Sequence, residues 1–194
     1  LFDPVRAAES QQSGFMLALA WFLTLSPLVP ISFAEAPQNR LRAALGEEFR
    51  QTEMTSLHRY QNFLYWARYL GFATFFGASE GERRVIPNPM RAIDAALPTL
   101  FAETSELPAA EFIAQLAAIY PVFETGSARQ QLEKLTGHSP IEAERKLSPA
   151  TSIALQRLAD AQKIGFLTRA DAPPLLLDFG VRTERVTHIT MKGS

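Results

Sequence analysis

Along most of this chain apolar residues return every three or four positions, and in a few short runs they cluster as strands do. The clearest signal lies in residues 56–93. Stepping about 100° per residue from Tyr60 gathers Leu57, Phe63, Leu64, Ala67 and Leu70 on one side, which predicts a helix with that stripe turned to a core. His58, Gln61, Asn62, Tyr65, Arg68 and Tyr69 fall on the opposite side. Gly71 suits the left-handed turn that ends a helix. Residues 72–76 and 83–86 then read as two strands joined by a polar tip with Gly77 and Gly81, and Asn88-Pro89 opens another helix. Upstream, Asp3-Pro4 is a helix start. Residues 14–33 carry no charge, which is a membrane-length run, but Pro27 and Pro30 break it after Leu25. The expectation is a short, all-apolar core helix and no membrane span. Asp3 and Glu9 also fit a signal peptide poorly, although Ala34-Glu35-Ala36 mimics a cleavage site. A short strand at 29–33 and a helix at 37–45, stopped by Gly46, complete the first part.

The resulting order is helix, short strand, helix, helix, strand, turn, strand, which is that of a winged helix-turn-helix. A second copy is suggested by spacing. Pro27 and Pro121 are 94 residues apart, and so are Gly71 and Gly165, each glycine followed by Phe. Between these anchors a helix opens at Pro108, a strand is expected at 122–124, and Ser127 with Gln130 forms a capping-box pattern for a helix ending near Gly137. Ser148-Pro149 starts a helix to about Lys163, and strands at 164–170 and 175–179 flank Asp171-Ala172-Pro173-Pro174 as a second wing. The fold class is therefore mainly α with small β wings, α+β, as a tandem winged helix-turn-helix. The expected division is a first domain at 1–103, including a linker helix at 89–101 interrupted by Pro98, and a second at 104–194 ending in a tail with Arg182, Arg185 and Lys192, read first as solvated and otherwise as an added strand or partner contact.

Composition narrows the chemistry. The chain has no cysteine, which removes disulfides, thiolate metal sites and cysteine nucleophiles. Lys and Arg number 19 against 20 Asp and Glu, so the chain lacks the basic excess of a free-standing DNA binder. His58, His138 and His188 have no metal-ligand spacing, and no His-Glu-x-x-His pattern or phosphate-cradling glycine loop occurs. Glu142 and Glu144 read as solvated acids rather than a catalytic pair. No enzyme activity, metal or cofactor is expected. What remains is the face of residues 56–70, which offers hydroxyls, amides and a guanidinium where a plain solvated face would carry Glu and Lys. One reading is contact with double-stranded DNA by His58, Gln61, Asn62, Tyr65, Arg68 and Tyr69, with Arg83 and Arg84 on the phosphates. The other is an adaptor or homodimer that uses the same tyrosine face for protein contact, which the neutral charge favours. Helix 148–163 shows a blander outer face of Ser152, Gln156, Asp160 and Lys163, suited to structure or partner binding.

YQNFLYWARYLGFATFFG, RVIPNPMRAI, ELPAAEFIAQLAAIYPVFETG and LSPATSIALQRLADAQKIGFL together resemble the DpdG family of bacterial deazapurine-in-DNA (Dpd) gene clusters. The resemblance covers nearly the whole chain and implies a cytoplasmic subunit beside DNA-modification and restriction proteins in antiviral defence. It also implies a further winged-helix-like unit before Leu1, so that this chain corresponds to the C-terminal portion. Its motifs carry no catalytic residues to transfer, and the site residues above rest on the helix face and the hairpin alone.

Overall fold

The chain is described here from a computed structural model, over residues 12–34, 38–52, 54–79, 81–137, 146–170 and 172–192. The helix start at Asp3-Pro4, the Glu35-Ala36 part of the cleavage-like site, Pro37, Glu80, His138, Glu142, Glu144 and Asp171 lie outside those residues. The uncharged run becomes helix α1 (Ser13–Thr24), in which residues 16–23 are all buried. It stops where Leu25 turns extended ahead of Ser26-Pro27, and among the described residues no helix is long and apolar enough to cross a membrane. At its start a Cβ on Gly14 would lie 2.5 Å from the Gln51 carbonyl oxygen. Glycine there lets the 3₁₀ turn Gly46–Thr52 meet α1 backbone to backbone.

Strand β1 (Ile31–Ser32) and helix α2 (Gln38–Leu45) lead into that turn, and helix α3 (Leu57–Tyr69) follows. Ser56 caps α3 by accepting the Arg59 N–H at 3.3 Å. At the other end Gly71, with φ of +87°, donates to the Arg68 carbonyl at 3.1 Å, while Phe72 donates to that of Ala67 at 2.8 Å. This pair of bonds reverses the chain directly into strands β2 (Ala73–Phe76) and β3 (Arg84–Pro87). The antiparallel sheet has the order β1-β3-β2, so the hairpin's second strand is central. Asn88 accepts the Met90 N–H at 3.4 Å and starts helix α4 (Met90–Leu100). Contrary to the sequence expectation, Pro98 does not interrupt α4. It sits on the exposed side one turn from the end, and Asp94, whose carbonyl loses its helical donor, is itself part-exposed and within reach of water.

The second half runs β4 (Glu106–Pro108), α5 (Ala109–Ile119), α6 (Ser127–Thr136), α7 (Pro149–Asp160), β5 (Ile164–Leu167), β6 (Leu175–Asp178), β7 (Thr183–Val186) and β8 (His188–Met191). Strands β5 and β6 do not pair as a wing: β5 and β4 flank β8, while β6 pairs with β7. The reason lies at Thr187, whose N–H and hydroxyl both bond the Leu167 carbonyl, at 2.9 and 3.1 Å, and direct β8 onto β5. The C-terminal stretch is thus not a solvated tail, since Thr187, His188 and Ile189 are buried in that sheet.

Residues 122–124 form a turn rather than a strand. Within it Glu124 is fully buried and its carboxylate accepts the Ser148 N–H at 2.8 Å and the Thr151 hydroxyl at 3.0 and 3.1 Å, capping α7 from a distance in sequence. The capping box at Ser127 is absent as well. Gly126 occupies the cap position, and Gln130 donates instead to the Thr125 carbonyl at 2.7 Å.

The chain is α+β as expected, mainly helical with small antiparallel sheets. Buried side chains from both halves form one cluster: α1 packs on α6 and α7, and α4 packs on α5 and α7. Phe72 meets Tyr120 and Phe123 at ring-centroid distances of 5.6 and 6.0 Å.

Two predictions follow from this packing. Glu124→Ala strands the Ser148 N–H in the core and should cost about 2–3 kcal/mol in urea denaturation, with Glu124→Gln losing less. Tyr60 is buried, its hydroxyl has no partner among the described residues, and burial drives its pKa above the usual value, outweighing the Arg40 charge. A raised folded-state pKa gives stability that is present below about pH 10 and lost as pH rises beyond it. Tyr60→Phe should therefore match or exceed the parent's stability at pH 7 and lose less between pH 9 and 11, as measured by denaturation at each pH.

Candidate nucleic-acid interface

Helix α3 buries Tyr60, Phe63, Leu64 and Ala67, in accord with the 3.6-residue period, and turns its other side outward beside the β1-β3-β2 sheet. The outward arc has two parts. On the sheet side lie Gln61, Tyr65 and Arg68. Gln61 donates to the Phe33 carbonyl at 3.3 Å. The Tyr65 ring meets Phe33 edge-on at 5.2 Å and Phe75 at 5.6 Å, and Phe33 and Phe75 are themselves 5.5 Å apart. An arginine closes each end of this three-ring cluster. The Arg68 guanidinium stands 5.2 Å over Phe75, and that of Arg83 stands 4.9 Å over Phe33 while donating to the Tyr65 hydroxyl at 2.9 Å. Stacking on an aromatic face leaves guanidinium edges available to an anion. Helix α3, the residue after β1 and the β2–β3 hairpin are joined here by side chains far apart in sequence.

On the other part of the arc His58, Asn62 and Tyr69 face solvent, with Arg59 and Trp66 beside them. Asn62 and His58 share a 3.3 Å hydrogen bond. Trp66 and Tyr69 meet perpendicularly at 5.7 Å, and they remain 56% and 76% exposed. Neither Arg59 nor Trp66 is among the residues that sequence reasoning assigned. Trp66 lies three residues before Tyr69 and seven after Arg59, a helical spacing that would have put all three on one side. Sequence reasoning assigns it to neither side of the helix.

The structure brings Tyr65, Arg68 and Arg83 together, and sets His58, Asn62 and Tyr69 alongside. Arg84 is not part of the cluster. As the next residue on strand β3 it points to the other face of the hairpin, where its guanidinium donates at 3.4 Å to the Gly81 and Arg83 carbonyls. From Met54 to Ser79 the sequence has no carboxylate, so α3 and β2 carry only cationic charge on a chain of net charge −1, while Glu82 neighbours Arg83 in the hairpin. Among the described residues no group of His, Asp and Glu is arranged to hold a metal.

A family model described as DpdG-like matches residues 1–172. The chain belongs to the DpdG-like family. The match includes the whole α3 and β2–β3 face. Comparison with curated proteins and with solved structures gives no significant match. Among the described residues of this DpdG-like chain, Tyr65, Trp66, Tyr69 and Phe76 are exposed aromatic side chains, three of them on α3.

Because Arg83 and Tyr65 are solvent-exposed, their contact orders side chains more than it stabilises the fold. Tyr65→Phe should change unfolding free energy by less than about 1 kcal/mol. It should nonetheless release the Arg83 side chain, visible as sharpened Arg83 Nε–H NMR relaxation signals relative to the parent.

Proposed function

We propose that this DpdG-like chain is a non-enzymatic, DNA-engaging tandem winged-helix subunit of a bacterial Dpd modification and restriction system, acting in the cytoplasm beside other defence proteins. Family membership supports the link to a Dpd system. Element order supports the winged-helix reading: α1-β1-α2-α3-β2-β3 with a β1-β3-β2 sheet in the first half, and in the second a three-stranded β4-β8-β5 sheet of which β5 and β8 follow three helices. In that second unit β4 takes the edge that β1 takes in the first, although it precedes its helices.

The observation that carries DNA contact is the pair of arginines fixed over Phe33 and Phe75, beside a helix α3 that carries no carboxylate. Arginines ordered by stacking lose less rotamer freedom on meeting a phosphate. The protein-contact reading keeps one specific support, the exposure of Trp66 and Tyr69, since both residue types are enriched at interfaces. In that alternative the chain is an adaptor or homodimer scaffold within the same system.

Fluorescence anisotropy on labelled DNA across a salt series separates the two. DNA engagement predicts affinity falling with salt at a log–log slope of about −2 to −3, in keeping with two or three phosphate contacts. Arg68→Ala with Arg83→Ala should cost at least tenfold, and Arg84→Ala much less. A stable homodimer by analytical ultracentrifugation, with no DNA bound at low salt, would favour the adaptor.

A further inference from the structure

The DNA-engaging reading leaves open which form of DNA the face takes, and the side chains separate the possibilities. Reading a duplex groove requires amides and hydroxyls whose hydrogen-bonding groups reach base edges. Here one hydrogen-bonding site of each is already engaged within the protein: the Gln61 amide donates to the Phe33 carbonyl, the Asn62 amide nitrogen meets the His58 ring, and the Tyr65 hydroxyl accepts from Arg83, which reduces what each offers to a base edge. What the face presents outward is ring surface. Trp66 and Tyr69 are the most exposed aromatic side chains on α3, and their perpendicular contact at 5.7 Å orients each against the other. An indole has one donor and cannot distinguish base edges, but its face matches the face of a base, which is accessible only when the base has left the duplex stack.

From these observations we infer that Trp66 and Tyr69 form a stacking platform for unstacked nucleobases, with Arg68 and Arg83 on the adjoining backbone phosphates, so that single-stranded or locally opened DNA is the ligand. The inference rests on the DNA-engaging reading. Charge complementarity supports a polyanion over an apolar protein partner, because the platform adjoins two stacked guanidinium groups and α3 carries His58, Arg59 and Arg68 with no acid, the acid next to this set being Glu82 beside Arg83. Stacking also explains how an overall neutral chain would hold DNA: part of the affinity comes from ring contact, which needs no basic excess.

The chain carries its own reporter. It has two tryptophans, Trp21 at 4% exposure inside α1 and Trp66 at 56% on the platform. A stacked base quenches an exposed indole and leaves a buried one unchanged. The full chain is titrated with an oligothymidine strand of about 16 nucleotides, with a duplex of equal length, and with an abasic strand of the same backbone, following tryptophan emission and DNA anisotropy together. The single strand should bind at least tenfold more tightly than the duplex and quench the Trp66 emission, and the abasic strand should do neither. Trp66→Ala should lose the quench and about five- to a hundredfold in single-strand affinity. Trp66→Phe, which restores a ring, should recover most of that affinity, and circular dichroism of both variants checks that the fold is retained.

Duplex binding equal to or tighter than single-strand binding overturns the platform and leaves DNA engagement standing. So does abasic binding as tight as that of the intact strand, with Trp66 emission unchanged. Failure of every DNA to bind overturns both readings. If Trp66 emission then shifts with protein concentration, the face is a contact between copies of the chain.

Discussion

Helix α1 is apolar on every side, and such a helix is stable only when every side is covered. That requirement shapes the whole molecule. The 3₁₀ turn closes on its start at Gly14, α3 covers one side with Phe63 against Phe22 at 5.9 Å, and α6 and α7 arrive from the second half. The two halves therefore share one buried cluster. Pro27 and Pro30 matter in the same way, since they end the helix at a length that one layer of neighbours can enclose and return the chain to the sheet through Ile31.

The second half must hold its helices firmly for this cover to work, and a buried carboxylate does so. Glu124 comes from the turn after α5, yet bonds the first residues of α7. A buried charge is tolerated only when hydrogen-bonded, and here a helix N-terminus supplies donors together with a favourable dipole. Gly126 lets the following helix start beneath Pro121, as a Cβ there would lie 2.3 Å from the Pro121 oxygen. The same turn thus sets the positions of α6 and α7, the two helices that cover α1.

At the surface, order comes from rings. Phe33, Tyr65 and Phe75 belong to the segment after β1, to α3 and to β2. Their contacts fix the angle between helix and hairpin, and the two arginines are held by the same rings. A face built this way is rigid before any ligand arrives, so little ordering cost is left to binding. Trp66 and Tyr69 extend it outward from a helix whose buried side is closed by Tyr60, Phe63 and Ala67.

Local chemistry was legible from the residues. The period of α3, the Ser56 cap, the Gly71 reversal, the hairpin around Gly77 and the length of α1 follow from spacing and from what glycine and proline allow, and none needs a distant partner. The outward placement of His58, Asn62, Tyr65, Arg68 and Tyr69 followed from the same period. What depended on distant contacts was hidden. Strand partners are chosen by whichever edge is open, so β5 joins β8 and not β6, which is nearer in sequence. Pro98 is accepted because buried Ala96, Leu97 and Leu100 hold its helix in place. Arg83 and Arg84 are neighbours of identical chemistry, yet strand alternation sends one onto Phe33 and Tyr65 and the other to carbonyls at the hairpin tip. Sequence by itself determined the elements and the chemistry each carries, since those are short-range; tertiary structure decided which of those groups meet, because that depends on residues far apart in the chain competing for the same space.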